Sequence, residues 1–452
     1  MYACIDVGTS NCKLAIYDEE LKKRYEESIS LPLAPDGTQD PNILLDYVKK
    51  FLLKAKEKGA KSAGIACYRS SMVCWDREGK PLSRIITWLS PSTKEKYMKL
   101  SKLVRFMGNF SPLDLVISPN SPVLRYLAAR DAAEGNEGAM VWTLDSFIAY
   151  NLTKKFISDA TNSAMTGLVN PSNFKKIGAI FSLLGIKQQL PEIMDNTESI
   201  GDYQGVEINA MIADQQAACI AEAATSSKVC KVTNGTGTFV DIAVEDYTRI
   251  PGLIPLVILR DRGKTVYGVE GYLPTTGSAL QLLFRLGIAK SYSELEESSS
   301  SSVIFIPSLA GLQIPNVPDA KGLIKGLELA TDRAAIIDAL LKAIAFHVRM
   351  VVEKSRQRVE VIRADGKLSL SNRLLSIVSS VTSLPVERQK DVEATQRGLA
   401  ILQLLSKGKL KLNELESTRR EIDVIKGKSE LGIEEEYLLW KKTLKSLKNS
   451  KI

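Results

Sequence analysis

The sequence predicts an α/β protein built of two related domains, and three observations carry that expectation. Short apolar segments alternate with amphipathic stretches of helical length along most of the chain, the pattern of strands layered against helices. A strand–turn–strand unit with Gly and Thr at its tip occurs at the N-terminus (Gly8-Thr9) and again half a chain later (Gly235-Thr236). The length, 452 residues, suits two to four domains at about 150 residues each.

Taken in order, residues 2–6 and 13–18 read as strands rich in Ile, Ala, Cys and Tyr, with 7–11 as their turn. Such a tip exposes backbone N–H groups and hydroxyls together, a cradle for phosphate oxygens. Asp6 at the strand end suits a metal ion accompanying those phosphates. A plain hairpin has the same local signature. Residues 44–56 carry Leu44, Leu45, Val48, Phe51 and Leu52 at helical spacing. Residues 63–66 and 72–75 read as short strands, and Asp76-Arg77-Glu78-Gly79 as a hairpin turn. Helical runs follow at 122–133 and 144–152. The second hairpin comprises 228–233, the turn Asn234-Gly235-Thr236-Gly237, and 238–244. Beyond it, helices are expected at 277–286, 332–354, 371–381 and 392–405. Two half-chains opening with similar hairpins suggest duplicated domains facing a cleft; chance recurrence of a short Gly-Thr turn is the alternative. The serine run 298–302 reads as a solvated loop. The Lys-rich end, 434–451, reads as a helix packed on the second domain rather than a membrane contact.

Composition narrows the class. Hydrophobic residues make up 44% and charged residues 25%, an ordinary globular balance. A formal charge of +8 over this length is too mild to argue for nucleic acid. No apolar run reaches the length of a bilayer span, and the first residues lack the regions of a signal peptide. Cys4, Cys12, Cys67, Cys74, Cys219 and Cys230 form no CxxC pair and sit mostly in apolar runs, so buried reduced thiols and a cytoplasmic location are expected. The single histidine, His347, lies in a helical run, which argues against Ser-His-Asp chemistry and His-based metal sites.

Several segments then become specific. Asp6-Val7-Gly8-Thr9-Ser10-Asn11-Cys12-Lys13 resembles the opening phosphate motif of the FGGY carbohydrate kinases, the glycerol kinases above all. Tyr68-Arg69-Ser70-Ser71-Met72-Val73-Cys74-Trp75-Asp76, leading to Trp88, is similar to the substrate hairpin of that family. Further resemblances lie at Ser158-Asp159-Ala160-Thr161-Asn162-Ser163, Ala213-Asp214-Gln215-Gln216, Asn234-Gly235-Thr236-Gly237-Thr238-Phe239, Gly277-Ser278-Ala279-Leu280-Gln281, Ile362-Arg363-Ala364-Asp365-Gly366 and Ala394-Thr395-Gln396-Arg397-Gly398. They follow the family's order from residue 1 to about 405.

The resemblance implies two ribonuclease-H-like (actin-like ATPase) domains, 1–210 and 211–452, with an interdomain catalytic cleft. It implies ATP-dependent phosphoryl transfer, with Mg²⁺, to a small polyol or sugar, and a homo-oligomer, a dimer, is expected. By match to the family, Asp214 is the general base, and it also suits the N-cap of a helix over 215–224. Asp6 would hold Mg²⁺, alone or with Asp214. Thr9, Ser10, Lys13 and Thr236 would meet the phosphates. Gly277 and Gln281 would flank the nucleotide, with Gly366 and Asn372 near adenine. Arg69, Ser70, Trp88, Gln215 and Phe239 would form the substrate pocket.

The chain departs from the family at several of these places. Lys13 stands where Arg is usual, which keeps the charge but loses the bidentate fork. Lys367 stands where a second glycine is expected and would crowd the adenine pocket. Ser70 replaces a Glu that accepts polyol hydroxyls in glycerol kinases, and the usual pocket Tyr is not evident in Ile117-Ser118-Pro119-Asn120-Ser121. Arg69 argues against the xylulose kinases, which carry a Met-His pair there. Residues 192–213 leave no room for the loop that binds a regulatory sugar bisphosphate in some bacterial glycerol kinases. The resemblance to the glycerol kinases implies glycerol as the expected substrate. The alternatives are another polyol or sugar (a pentulose or tetritol), or a non-catalytic actin-like nucleotide-binding regulator.

Overall fold

In the computed structural model, which describes residues 1–90, 92–107, 117–119, 121–133, 136, 138–297, 299, 302–317, 320–427 and 432–447, the chain divides into two units. One comprises Met1–Ala221, Leu256–Thr265 and Thr395–Leu415; the other comprises Glu222–Pro255, Val266–Ala394 and Glu416–Ile452. Asn120, positions 298, 300 and 301 of the serine run, and 448–451 of the Lys-rich end lie outside the described residues.

The first unit starts with the hairpin Tyr2–Val7 and Asn11–Tyr17, paired antiparallel from Tyr2–Tyr17 to Val7–Cys12. Lys23–Ser30 extends it on one side. On the other side Ser62–Cys67 and then Val206–Ala213 add in parallel, and Gly201–Tyr203 closes the edge antiparallel. Tyr2–Val7, apart from half-buried Asp6, and Ser62–Cys67 are buried along their length, as expected of parallel strands covered on both faces. Pro41–Glu57 is one cover. Asp40 caps it by accepting from the Asn42 N–H, Pro41 supplies a preset φ in the first turn, and Leu44, Leu45, Val48, Phe51, Leu52 and Ala55 face the core.

The second unit repeats that plan. Val229–Asn234 and Thr238–Val244 form the hairpin, and Lys264–Leu273 extends it antiparallel. Val361–Asp365 and then Val386–Gln389 add in parallel, and Ile422–Ile425 closes the edge antiparallel. Six neighbouring strands thus share order and direction with the six of the first unit, so the recurrent Gly-Thr turn belongs to a duplicated sheet. Arg333–Ser355 packs on it and buries His347, whose pKa falls to about 4 through that burial. The helix Ile433–Ser446 buries Ile433, Tyr437, Trp440 and Leu444, with Tyr437 and Trp440 against Phe346. This is the packed helix expected of the Lys-rich end. Among the described residues, no helix is long and apolar enough to cross a membrane.

Residues 63–66 and 72–75 are strands, but they belong to different sheets: Ser62–Cys67 joins the six-stranded sheet, whereas Met72–Trp75 pairs with Ile85–Ile86 and Met140–Thr143. Between them Ser70 takes a left-handed conformation, φ +59°. The Asp76–Gly79 turn does form, with the Gly79 N–H donating to the Asp76 carbonyl at 3.0 Å. It returns the chain only to a single bridge between Trp75 and Pro81.

Candidate active site

In the first unit the three parallel strands end level with one another. Val7 pairs with Cys67, and Cys67 pairs with Ala213. The segments that leave these ends, Gly8-Thr9-Ser10, Tyr68-Arg69-Ser70 and Asp214-Gln215, therefore emerge side by side. In open α/β sheets the carboxyl ends of the strands are where ligands bind.

The turn Gly8–Ser10 is held from several directions. The Gly8 N–H donates to the Asn11 carbonyl at 2.9 Å, and the Ser10 carbonyl accepts from the Leu31 N–H at 2.8 Å. Gln39 Nε2 donates to the Thr9 carbonyl at 2.8 Å, and Tyr68 Oη donates to Gln39 Oε1. Trp88 Nε1 donates to Thr9 Oγ1 at 3.3 Å, so the candidate apolar wall touches the candidate phosphate turn. Asp6 and Lys13 face each other across the hairpin register, both half-buried.

Asp214 is the first residue of the helix Asp214–Ala221 rather than its N-cap, and the helix stops short of residue 224. Its Oδ1 accepts from the Gln215 N–H at 2.8 Å, the next residue, instead of reaching a turn ahead as a capping side chain does. Its carboxylate is partly open to solvent, at 23%, and lies 3.9 Å from Nε of Arg69, whose side chain is 9% exposed. Arg69 Nη1 also reaches Met165 Sδ at 3.6 Å. Gln215 is half-buried, whereas Gln216 is buried and donates to the Val257 carbonyl. Of the two amides, Gln215 is the more exposed. The Ser70 carbonyl accepts from Arg125 Nη1 at 3.0 Å. Gln39, Tyr68 and Arg125 are thus supporting residues that sequence reasoning passes over. Only Tyr68, adjacent to Arg69, carried a local signal.

Beneath these ends lies a buried polar layer. Asp145 Oδ2 accepts from Ser158 Oγ at 2.7 Å and from the Asp159 N–H at 2.9 Å. Its Oδ1 is buried without a hydrogen-bond partner. Burial, with the neighbouring Asp159 charge, pushes the Asp145 carboxyl up to about 8. An acid raised in this way contributes stability that is whole below about pH 4 and is lost as pH climbs through the folded-state value. The melting temperature of the wild type, relative to that of Asp145→Asn, is therefore expected to fall between about pH 4 and pH 8. Melting curves for both proteins at several pH values check this, and a constant difference would refute a neutral buried Asp145.

In the second unit the hairpin turn and two glycines converge. The Gly235 N–H donates to the Gly237 carbonyl at 2.9 Å, and the Gly277 N–H donates to the Thr236 carbonyl at 2.9 Å. A Cβ on Gly277 would stand 2.4 Å from the Gly235 carbonyl oxygen, so only glycine lets the helix Thr276–Arg285 begin against this turn. Gly366 follows the parallel strand Val361–Asp365 at φ +84°, and a Cβ there would lie 2.5 Å from the Asn234 oxygen. Thr238 Oγ1 donates to Asn234 Oδ1 at 2.9 Å, and Asn234 Nδ2 donates to Ser369 Oγ at 3.0 Å. Thr236, Gln281 and Asn372 are exposed, and Asn372 Oδ1 accepts from Arg388 Nη1 at 3.0 Å. Phe239 stacks on Tyr272 across the register, centroids 5.7 Å apart. Lys367 does not fold back over Gly366: its Nζ sits 4.7 Å above the ring of Tyr292. A separate cavity of about 740 Å³, bounded by residues such as Arg349, Glu353, Ser380 and Glu434, holds none of the candidate residues.

The structure thus gathers Asp6, Thr9, Ser10, Lys13, Arg69, Ser70, Trp88, Asp214 and Gln215 at one edge of the first sheet. It gathers Thr236, Gly277 and Gly366 around the corresponding edge of the second. Comparison with known proteins follows these two halves. Residues 1–222 match the FGGY family of carbohydrate kinases, N-terminal domain, and residues 230–406 match its C-terminal domain. A glycerol kinase of Brucella anthropi is 30% identical over 88% of this chain and 88% of its own. An uncharacterized sugar kinase of Archaeoglobus fulgidus is 27% identical over 100% of both chains. Among solved structures, Plasmodium falciparum glycerol kinase with ADP has a TM-score of 0.85 at 24% identity, covering 100% of this chain and 99% of the other. A xylulose kinase from Lactobacillus acidophilus reaches a TM-score of 0.85 at 18% identity with the same coverage. The structural likenesses speak for the fold.

Proposed function

From a chain that belongs to the FGGY family of carbohydrate kinases, phosphotransferases with an alcohol group as acceptor, we propose an ATP-dependent kinase of a small polyol, with glycerol as substrate and Asp214 as general base. The observation that carries the reading is the placement of Asp214, half-open and beside Arg69, at the strand ends that also present Asp6 and the Gly8–Ser10 turn. An attacking hydroxyl must shed a proton as it meets the γ-phosphate, and one carboxylate within hydrogen-bond reach can accept it. Arg69 and Gln215 orient the acceptor hydroxyls, and Trp88 and Phe239 cover its carbon skeleton. Thr9, Ser10, Lys13 and Thr236 grip phosphate oxygens, Gly277 and Gln281 flank the nucleotide, and Gly366 and Asn372 receive the adenine.

Mg²⁺ fits the residues present. The ion keeps several waters and takes one or two carboxylates together with substrate phosphates, and Asp6 and Asp214 stand at the carboxyl ends of the two strands that flank Ser62–Cys67. When bound it neutralises charge on the transferring phosphoryl group.

The substrate assignment rests on Arg69 in the connection between Ser62–Cys67 and Met72–Trp75, with a serine hydroxyl at position 70 in place of a carboxylate. Glycerol is expected to give a higher kcat/KM than xylulose or ribulose. Steady-state assays with Mg-ATP and a panel of polyols and ketoses test this. A five-carbon ketose with the higher kcat/KM would make the protein a pentulose kinase. ATP binding without transfer to any member of the panel would favour a non-catalytic regulator.

A further inference from the structure

The end of the strand that leads into Asp214 is held from the side by a buried side chain. The strand Val206–Ala213 ends at the Ala213–Cys67 pair, and the Ala213 N–H donates to Thr161 Oγ1 at 2.9 Å. The Thr161 hydroxyl in turn donates to Asp159 Oδ1. Asp159 is a dense acceptor. It also takes the N–H groups of Thr161 (2.8 Å) and Asn162 (3.0 Å), Asn162 Nδ2 (2.7 Å) and Asn196 Nδ2 (3.2 Å). Asn196 Nδ2 also donates to the Met211 carbonyl at 2.8 Å, and the Asn196 carbonyl accepts from the Met211 N–H at 3.2 Å. Two of the last three residues before Asp214 are thus tied to the Asp159 carboxylate, and the Asp159 backbone N–H in turn donates to Asp145 Oδ2. Thr161, Asp159 and Asn196 are all buried, so water does not compete for these bonds.

We propose that Thr161, held by Asp159, is the positioning residue that aims the Asp214 carboxylate at the acceptor hydroxyl. The proposal rests on the reading of Asp214 as general base. Its physical content is directional: Thr161 Oγ1 accepts from the Ile212–Ala213 peptide, one residue before Asp214, so its loss lets that peptide rotate while the phosphate and substrate contacts stay in place. A misplacement of about 1 Å costs on the order of 10²-fold in rate.

The test uses four single variants, each also made in the Asp214→Asn background. Thr161→Val keeps the shape and removes the hydroxyl; Thr161→Ser keeps the hydroxyl. Ser163→Ala removes another buried hydroxyl of the same layer, one that donates to Ser158 Oγ and makes no bond to Ala213. With Mg-ATP and the acceptor the wild type turns over fastest, Thr161→Val is expected to lower kcat by about 10- to 100-fold and to leave both KM values within about twofold. Thr161→Ser should restore kcat, and Ser163→Ala should lower the melting temperature without that loss. In the Asp214→Asn background, Thr161→Val should cost nothing further, because the two residues act as one unit. Thr161→Cys, similar in size with a weaker acceptor, should fall between Ser and Val, and it serves if Thr161→Val does not fold. Unchanged kcat in Thr161→Val, an equal loss in Ser163→Ala, or losses that multiply with Asp214→Asn would each overturn the proposal. Failure of the underlying reading shows separately, as near-normal turnover in Asp214→Asn alone.

Discussion

Asp214→Asn is expected to lower turnover by about 10²- to 10⁴-fold, the usual span for loss of a general base, while ATP affinity stays close to that of the wild type. Asparagine keeps the shape, and its carbonyl oxygen can still accept from the Gln215 N–H, which Asp214 Oδ1 takes at 2.8 Å. What it cannot do is take a proton. The nucleotide contacts proposed at Gly8–Ser10 and in the second unit are untouched. The cost to the fold is small. A negative side chain in the first turn of a helix contributes about 0.3–1 kcal/mol through the helix dipole, and Asp214 holds that place. Two measurements on one variant decide the matter: turnover, and ATP affinity by calorimetric titration. Near-normal turnover removes Asp214 from the chemistry. Joint collapse of turnover and affinity would move its role from proton transfer to the fold or to holding Mg²⁺.

Gly398→Ala is expected to damage stability and rate together. Gly398 lies in the helix Ala394–Ser406, and a Cβ there would meet the Ala217 carbonyl oxygen at 1.9 Å and its carbon at 2.6 Å. Both atoms are backbone, so no side-chain rotation relieves the clash. The helix that carries Asp214 must shift. Overpacking of this kind costs about 1–3 kcal/mol, occasionally more, which lowers the melting temperature by roughly 2–4 °C per kcal/mol in a domain of this size. Ala217 is one turn from Asp214, so the displacement reaches the carboxylate, and kcat should fall by about 10-fold or more. Gly178→Ala is the control: no atom lies within 4 Å of a Cβ there, and the helix Gly178–Leu183 begins at that residue. Its melting temperature and kcat should match or exceed those of the wild type. A Gly398→Ala protein as stable and active as Gly178→Ala would show that the two helices are not locked at this contact.

The two hairpins and the long helices were legible in the sequence because their signals are local. Leu44, Leu45, Val48, Phe51 and Leu52 repeat with the helical period, and they form the buried face of Pro41–Glu57. The separation of Ser62–Cys67 from Met72–Trp75 was not legible, because both are buried along their whole length and show no alternation to say which sheet each faces. At the candidate site the strand-end residues stood out by type, as Gly, Thr, Asp and Arg beside apolar runs. Their supports did not. Gln39 reaches Thr9 across 30 positions and Thr161 reaches Ala213 across 52, separations at which spacing carries no signal. Lys367 shows the same limit in reverse: its bulk was evident in the sequence, but not the ring of Tyr292 that draws it aside.

The six buried thiols give the molecule an internal count of how it opens. All are free and buried, and burial pushes the thiols of Cys4, Cys12, Cys67, Cys74 and Cys230 upward, away from the reactive thiolate. Five belong to the first unit and Cys230 alone to the second. An alkylating reagent applied to the native protein therefore reads out local unfolding rather than surface chemistry. The mass of the product says which unit has opened: five additions mark the first, a single addition at Cys230 marks the second.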